Sequence, residues 1–120
     1  MTADPAQPRS AMNVEIALRR LNGDHSLLVK MAVFFQEDAP PLMARLRDGA
    51  TSNNRETLTQ VAHSLRGLAG TFEATQVSKL TLEIEQGAAT LDNARLSELV
   101  ATLESEFARL MEEIQTLVNK

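Results

Sequence analysis

Two side chains in this 120-residue sequence are spaced for joint chemistry: His63 and Arg66, which lie three positions apart in the run His-Ser-Leu-Arg-Gly. Residues with this spacing are neighbours on the surface of an α-helix. A free imidazole has a pKa of about 6.5, so at pH 7 it is mostly neutral and nucleophilic. It can accept a phosphoryl group, and a nearby guanidinium can offset the added negative charge. The pair therefore indicates phosphoryl-acceptor chemistry, the alternative being an ordinary surface histidine.

A helical wheel at about 100° per residue separates His63 from the apolar side of its helix. The apolar stripe comprises Leu58, Val61, Leu65, Leu68, Ala69 and Phe72. The opposite side, which carries His63, comprises Glu56, Thr59, Gln60, Arg66, Gly67 and Gly70. Each of these two glycines costs the helix about 1 kcal/mol relative to a good helix former. Residues without bulk beside an exposed imidazole predict that a large partner approaches this face.

The spacing of apolar residues predicts helices and no strand, because no segment alternates apolar and polar residues. The predicted helices cover 13–21, 25–48, a third from Asn53 to about Phe72, 77–89, and a fifth from Asp92 to the C-terminus. Pro40 and Pro41 interrupt the second helix, but the apolar phase is the same on both sides, so we predict one kinked helix. Residues 49–54 are predicted to form a polar loop.

Capping residues set the predicted helix boundaries. Gly23 suits a left-handed position after the first helix, and Asp24 can cap the second. Asn53, followed by Glu56 three residues later, has the form of a capping box for the third helix. The predicted N-caps of the fourth and fifth helices are Thr75 and Asp92.

Long amphipathic helices joined by short loops pack together as bundles. We therefore predict an all-α fold: an antiparallel up-and-down four-helix bundle with an additional short N-terminal helix, over residues 11–120. Residues 1–10 hold two of the four prolines and no large apolar residue except Met1. This composition predicts a disordered leader or linker.

Composition also argues against several classes of function. The net charge is −4, and lysine and arginine are dispersed. Trp and Tyr are absent, and the four phenylalanines have core-like spacings, so nucleic-acid binding is not expected. No apolar run approaches the roughly 20 residues that cross a bilayer. Cysteine is absent, and the two histidines, His25 and His63, are far apart, so a metal site is not expected. His25 is predicted to be a surface residue.

The segment Ala62–Ala74 reads A-H-S-L-R-G-L-A-G-T-F-E-A. It resembles the signature of histidine phosphotransfer (HPt) domains of bacterial-type phosphorelays, roughly A-H-x-L-K-G-x-x-x-x-L-G-A. The similarity extends over about residues 13–118. Two positions depart from the pattern: Arg66 takes the place of the usual lysine, and Glu73 takes the place of the usual glycine. If residue 73 needs a positive φ, glutamate there costs about 1 kcal/mol.

The resemblance assigns roles to individual residues. It makes His63 the phosphoacceptor through Nε2 and gives Arg66 the charge support of the phosphoryl group. Glu85, on the next helix, is expected to hydrogen-bond Nδ1 and orient the ring, with Gln86 as the alternative. The expected partner-docking residues are Thr59, Gln60, Gly67 and Gly70.

The resemblance also implies a phosphoryl carrier with no ATP-binding site and no cofactor of its own. His63 would accept a phosphoryl group from an aspartate of a response-regulator receiver domain, for example in a hybrid histidine kinase, and pass it to another receiver. The receiver would bring Mg²⁺. The protein would be a cytoplasmic monomer.

Two other functions remain open. One is a non-catalytic adaptor bundle, a pseudo-HPt protein, which binds a partner through the same exposed face. The other is the phosphotransfer domain of a chemotaxis-type histidine kinase, in which a separate ATP-binding domain phosphorylates His63. The sequence identifies neither the donor nor the acceptor, nor the direction of transfer.

Overall fold

The computed structural model describes residues 10–119, so residues 1–9 of the predicted leader, which spans 1–10, lie outside the described range. Within it the chain is helical and contains no strand, which confirms the all-α prediction. The helices are α1 (Val14–Arg20), α2 (His25–Thr51), α3 (Arg55–Gly70), α4 (Thr75–Gly87) and α5 (Asn93–Val118).

The four longer helices pack in a ring. Helix α2 contacts α3 and α5, and α4 contacts the same two helices. Within residues 10–119, no Cα atom of one of these helices lies within 8 Å of a Cα atom of the diagonally opposite helix. Because successive helices are neighbours joined by short connections, they run antiparallel. The short α1 packs on α2. This is the predicted up-and-down bundle with its additional N-terminal helix.

An aromatic cluster holds three parts of the bundle together at one end. The ring of Phe35, on α2, meets Phe72 edge-on with a centroid separation of 5.4 Å. The same ring lies 6.0 Å from the ring of Phe107, on α5. All three side chains are buried, and such pairs add stability beyond the apolar area they bury. The cluster fixes the end of α3 relative to α2 and α5.

Two predicted caps are present. The carboxylate of Asp24 accepts a hydrogen bond from the backbone N–H of Leu27 at the start of α2. Asp92 does the same for Arg95 at the start of α5. Gly23 has a φ of +78°, so the left-handed turn after α1 is confirmed.

The predicted capping box at the start of α3 is wrong by one residue. Helix α2 continues to Thr51, through part of the predicted loop, because Gly49 is buried against the start of α3. The remaining turn is tight and puts Asn53 in the left-handed region at φ +57°, which asparagine tolerates. The cap is therefore Asn54, whose Oδ1 accepts a hydrogen bond from the N–H of Thr57.

The predicted cap of α4 is also wrong. Thr75 is the first residue of the helix, and the capping position belongs to Ala74, which makes no side-chain capping bond. Ala74 is fully buried, so packing rather than hydrogen bonding determines the residue there. Helix α2 runs through Pro40 and Pro41 without a break, as predicted for one helix.

The turn between α3 and α4 contains the departure at Glu73. Its φ is +52°, so the unfavourable backbone conformation is present. An ion pair between Arg20, on α1, and Glu73 compensates, with Nη2 and Oε2 2.8 Å apart. Nη1 of Arg20 also donates to the backbone oxygen of Gly70, the last residue of α3. Helix α3 ends at Gly70, before the predicted Phe72.

We expect Glu73→Ala to be less stable than Glu73→Gly by about 1 kcal/mol, measured by urea unfolding. Both variants lose the ion pair with Arg20, but only glycine also relieves the positive φ. In an Arg20→Ala background, Glu73→Ala should have almost no further effect. Equal stability of the two Glu73 variants would show that the backbone at this turn is not strained.

Candidate functional site

His63 projects from the outer face of α3. The inner face is held in the core by buried side chains, including Val61, Ala62 and Leu65. The helical geometry then directs His63 outward, and 67% of its side chain is exposed. The position agrees with the helical wheel and leaves the imidazole open to a partner.

Glu85, on α4, contacts the imidazole. Its Oε2 lies 2.8 Å from Nδ1 of His63. The buried Thr81 and Ile84 hold the inner face of α4, which leaves Glu85 at the seam with α3 and only 21% exposed. Gln86, the alternative, is exposed, and no hydrogen bond joins it to His63 among the described residues.

Arg66 contacts both partners. Its Nη2 donates to Oε1 of Glu85 over 2.8 Å and lies 3.2 Å from Nδ1 of His63. The side chain is 35% exposed, and its Nε is buried without a hydrogen-bond partner. The two oxygens of Glu85 are thus divided between the guanidinium and the imidazole.

This arrangement selects one tautomer of a neutral ring. If Nδ1 carries the proton, it donates to Oε2 of Glu85, and Nη2 of Arg66 still has Oε1 as its acceptor. If Nε2 carries the proton, Nη2 of Arg66 can donate to the lone pair of Nδ1 over 3.2 Å, but that lone pair also faces a carboxylate oxygen at the shorter distance of 2.8 Å, which is repulsive. The Nδ1–H tautomer is favoured, and it leaves the lone pair of Nε2 unprotonated.

The same contacts determine the charge of Glu85. The hydrogen bond from Arg66 is the main cause that lowers the pKa of this carboxyl below its usual range. Partial burial acts in the opposite direction, and the hydrogen bond with His63 and the nearby positive charge lower the pKa further. Glu85 is therefore a carboxylate at neutral pH and accepts hydrogen bonds only.

Arg55 links the two helices at the end of their seam that lies away from the α3–α4 turn. It lies at the start of α3, and its Nη1 donates to the backbone oxygens of Ala88 and Leu91, over 2.7 and 2.6 Å. Its Nη2 donates to the side chain of Asn93. These bonds tie the start of α3 to the end of α4 and so help set the height of Glu85 relative to His63.

The other side of His63 is open. A shallow groove between α2 and α3 borders it, lined by Glu37, Asp38, Pro41, Leu42, Ser64, Gly67 and Leu68. A Cβ atom added at Gly67 would meet no heavy atom within 4 Å. The packing of this chain therefore does not require glycine there, and its cost to the helix needs an explanation outside the fold.

The other expected docking residues lie around His63, and their role stays a prediction. Thr59 is half-buried, and its hydroxyl donates to the backbone oxygen of Arg55. Gln60 is exposed and donates to Glu56. Gly70 is half-buried at the end of α3, beside Arg20.

Phe34 corrects the sequence analysis, which placed all four phenylalanines at core spacings. Its side chain is 59% exposed and lies in a second, apolar groove with Met31, Leu68 and Thr71. The neighbouring Phe35 occupies the core. Adjacent helical residues point about 100° apart, so the pair Phe34-Phe35 was the signal that one ring faces outward.

No His, Asp or Glu cluster suited to a metal ion occurs between residues 10 and 119. His25 is exposed at the start of α2, as predicted. None of the helices in the described part of the chain is long and apolar enough to cross a membrane.

A family model described as the Hpt domain matches residues 30–119, which is more than half of the chain. The chain belongs to the Hpt domain family. The matched range contains α3, α4 and α5 with His63, Arg66 and Glu85, whereas α1 precedes it. Comparison with curated proteins and with solved structures gives no match. Hpt domains are phosphocarrier modules that act with receiver domains in phosphorelays.

We expect the stability contributed by Glu85 to depend on pH. Its pKa is lowered in the folded state, so this stability is present above the pKa of an unfolded glutamate, about 4.3, and is lost as the pH falls through the folded value. Glu85→Gln should therefore be less stable than the wild type at pH 7, with the difference shrinking near pH 3. Urea unfolding at both pH values measures this.

Gln86→Ala is the control, because it alters the adjacent exposed residue without removing a titrating group. It should follow the wild-type pH dependence. A Glu85→Gln variant that loses equal stability at pH 7 and pH 3 would contradict the ionic contact.

Proposed function

We propose that His63 is the phosphoacceptor of a phosphorelay carrier, which takes a phosphoryl group from the aspartyl phosphate of one receiver domain and passes it to another. The observation that carries this proposal is the 2.8 Å contact between Nδ1 of His63 and Oε2 of Glu85 on an exposed imidazole. The contact commits Nδ1 as a donor and leaves the lone pair of Nε2 available as the nucleophile.

In the transfer step a bond forms between Nε2 of His63 and phosphorus, and the bond between phosphorus and the aspartyl oxygen breaks. The electron pair of the broken bond leaves with the receiver's carboxylate. The ring keeps its Nδ1 proton and gains positive charge, which the carboxylate of Glu85 offsets across the 2.8 Å contact. The reverse attack by a second receiver's aspartate restores the neutral ring.

The partner supplies the rest of the reaction. The phosphoryl group comes from a receiver domain, on which Mg²⁺ is expected, and this chain contributes a positioned nucleophile and a docking face. Gly67, Gln60 and Thr59 lie on the face that a receiver must cover to bring its aspartate to His63. Charge support of the phosphoryl group by Arg66 is part of the proposal.

The direct test is incubation with a receiver domain carrying a ³²P-labelled aspartyl phosphate. The wild type should acquire a label that is labile in acid and stable in alkali, whereas His63→Gln should acquire none. His25→Gln is the matched control and should be labelled like the wild type.

A label that persists unchanged in His63→Gln would contradict the proposal. Binding of receivers that is indifferent to both phosphorylation and His63→Ala would favour the adaptor function. Labelling by a separate kinase domain with ATP, and not by receivers, would favour the chemotaxis-type function.

The open space at Gly67 gives a second test. Gly67→Leu should raise helix stability by up to about 1 kcal/mol, because leucine is the better helix former and its Cβ meets no neighbour. It should also slow phosphoryl transfer by about tenfold or more, because the side chain occupies the space that the receiver needs. Urea unfolding and the labelling assay measure the two effects.

Ala101→Leu, on the exposed face of α5, is the control and should leave transfer unchanged. A Gly67→Leu variant that transfers at the wild-type rate would show that partners do not approach over this glycine.

A further inference from the structure

Arg66 lies beside Nδ1 of His63, which is not the ring atom that would carry the phosphoryl group. Its Nη2 is 3.2 Å from Nδ1 of His63, whereas the proposed phosphoryl group is attached at Nε2, on the other edge of the ring. The same nitrogen is committed to Oε1 of Glu85 at 2.8 Å. In the unphosphorylated protein Arg66 therefore acts on the Nδ1 side of His63.

A carboxylate at Nδ1 has two opposing effects on the nucleophile. It orients the ring, but it also stabilises the imidazolium form, in which both nitrogens carry protons. An imidazolium has no lone pair on Nε2 and cannot attack phosphorus. Glu85 at 2.8 Å, acting alone, would therefore increase the fraction of His63 that is unreactive.

Arg66 counteracts the second effect without removing the first. Its guanidinium offsets the negative charge of Glu85 through the second carboxylate oxygen, Oε1. Its own positive charge, 3.2 Å from Nδ1, also disfavours a positive charge on the imidazole ring. Oε2 remains free to accept the Nδ1 proton of the neutral tautomer. Arginine suits this role because it stays protonated at any physiological pH.

The Nε of Arg66 is buried and has no hydrogen-bond partner among the described residues. The guanidinium contacts the site through Nη2, which donates to Oε1 of Glu85 and lies 3.2 Å from Nδ1 of His63.

We propose that Arg66 is a positioning residue that keeps His63 neutral, and so nucleophilic at Nε2, by sharing the carboxylate of Glu85. This inference rests on the proposed phosphoacceptor function and adds to it a role for Arg66 before any phosphoryl group arrives.

The charged groups around the ring are limited. Helix α3 contributes Arg66 and α4 contributes Glu85, while within the described range no Cα atom of α5 lies within 8 Å of a Cα atom of α3. From α2, Glu37 and Asp38 line the groove beside Ser64 and Gly67, and neither forms a hydrogen bond or ion pair with His63. Replacing Arg66 therefore changes the main positive charge that faces His63.

The test is a ¹⁵N NMR titration of the His63 ring in the unphosphorylated protein. In Arg66→Gln, the pH at which half of the rings are protonated should lie higher than in the wild type, because the positive charge that opposes protonation of the ring is removed. Arg66→Lys, which keeps the charge, should remain close to the wild type. Lys79→Gln makes the same change of net charge on the exposed face of α4 and should leave the midpoint unchanged.

The second readout is the rate of transfer from a phosphorylated receiver, expressed relative to the wild type at the same pH. Arg66→Gln should lose about tenfold more in rate at pH 6, where the extra imidazolium is unreactive, than at pH 8, where only the charge support of the phosphoryl group is missing. A loss of transfer rate that is equal at both pH values, with an unchanged titration midpoint, would overturn the proposal. Charge support of the phosphoryl group would then be the only role left for Arg66.

The two measurements distinguish failure of the phosphoacceptor function from failure of the role proposed for Arg66. If no variant and no wild-type protein is ever labelled, the phosphoacceptor function is wrong, but the titration still shows whether Arg66 controls the charge of His63. If labelling is normal and the midpoint of Arg66→Gln equals that of the wild type, only the role of Arg66 is wrong.

Discussion

The carboxylate of Glu85, shared between an imidazole and a guanidinium, is the interaction on which the site depends. One oxygen accepts from Nδ1 of His63 and the other from Nη2 of Arg66, each over 2.8 Å. The sharing needs α3 and α4 at one relative height, because a displacement of a single helical turn, about 5.4 Å, would separate all three groups. The bonds of Arg55 across the far end of this seam and the tight turn at Ala74 hold that height.

The bundle supplies rigidity on one side of His63 and space on the other. Towards α4 the ring meets a charged contact that fixes its tautomer. Towards α2 it borders a shallow groove in which Gly67 adds no bulk. A phosphocarrier needs both properties, since its nucleophile must be oriented before the partner arrives and must remain reachable by more than one partner.

Much of this could be predicted from the sequence. The apolar spacing of α3 determines which face is buried, so the exposure of His63 follows from local periodicity. The positive φ at Glu73 was also foreseeable, because a helix end at a usual glycine position requires that conformation. The ion pair between Arg20 and Glu73, which compensates for the unfavourable φ, could not be predicted, since it joins residues far apart in the sequence. Tertiary packing likewise determined that Asn54 and Ala74 are the N-cap residues of α3 and α4.

The deciding measurement is the position of the phosphoryl group on the ring. After transfer from a phosphorylated receiver, long-range ¹H–¹⁵N spectra with ³¹P detection distinguish phosphorus on Nε2 from phosphorus on Nδ1. The contact between Glu85 and Nδ1 predicts phosphorylation of His63 at Nε2 alone, with the Nδ1 proton retained. Phosphorus on Nδ1, or on a residue other than His63, would contradict the account.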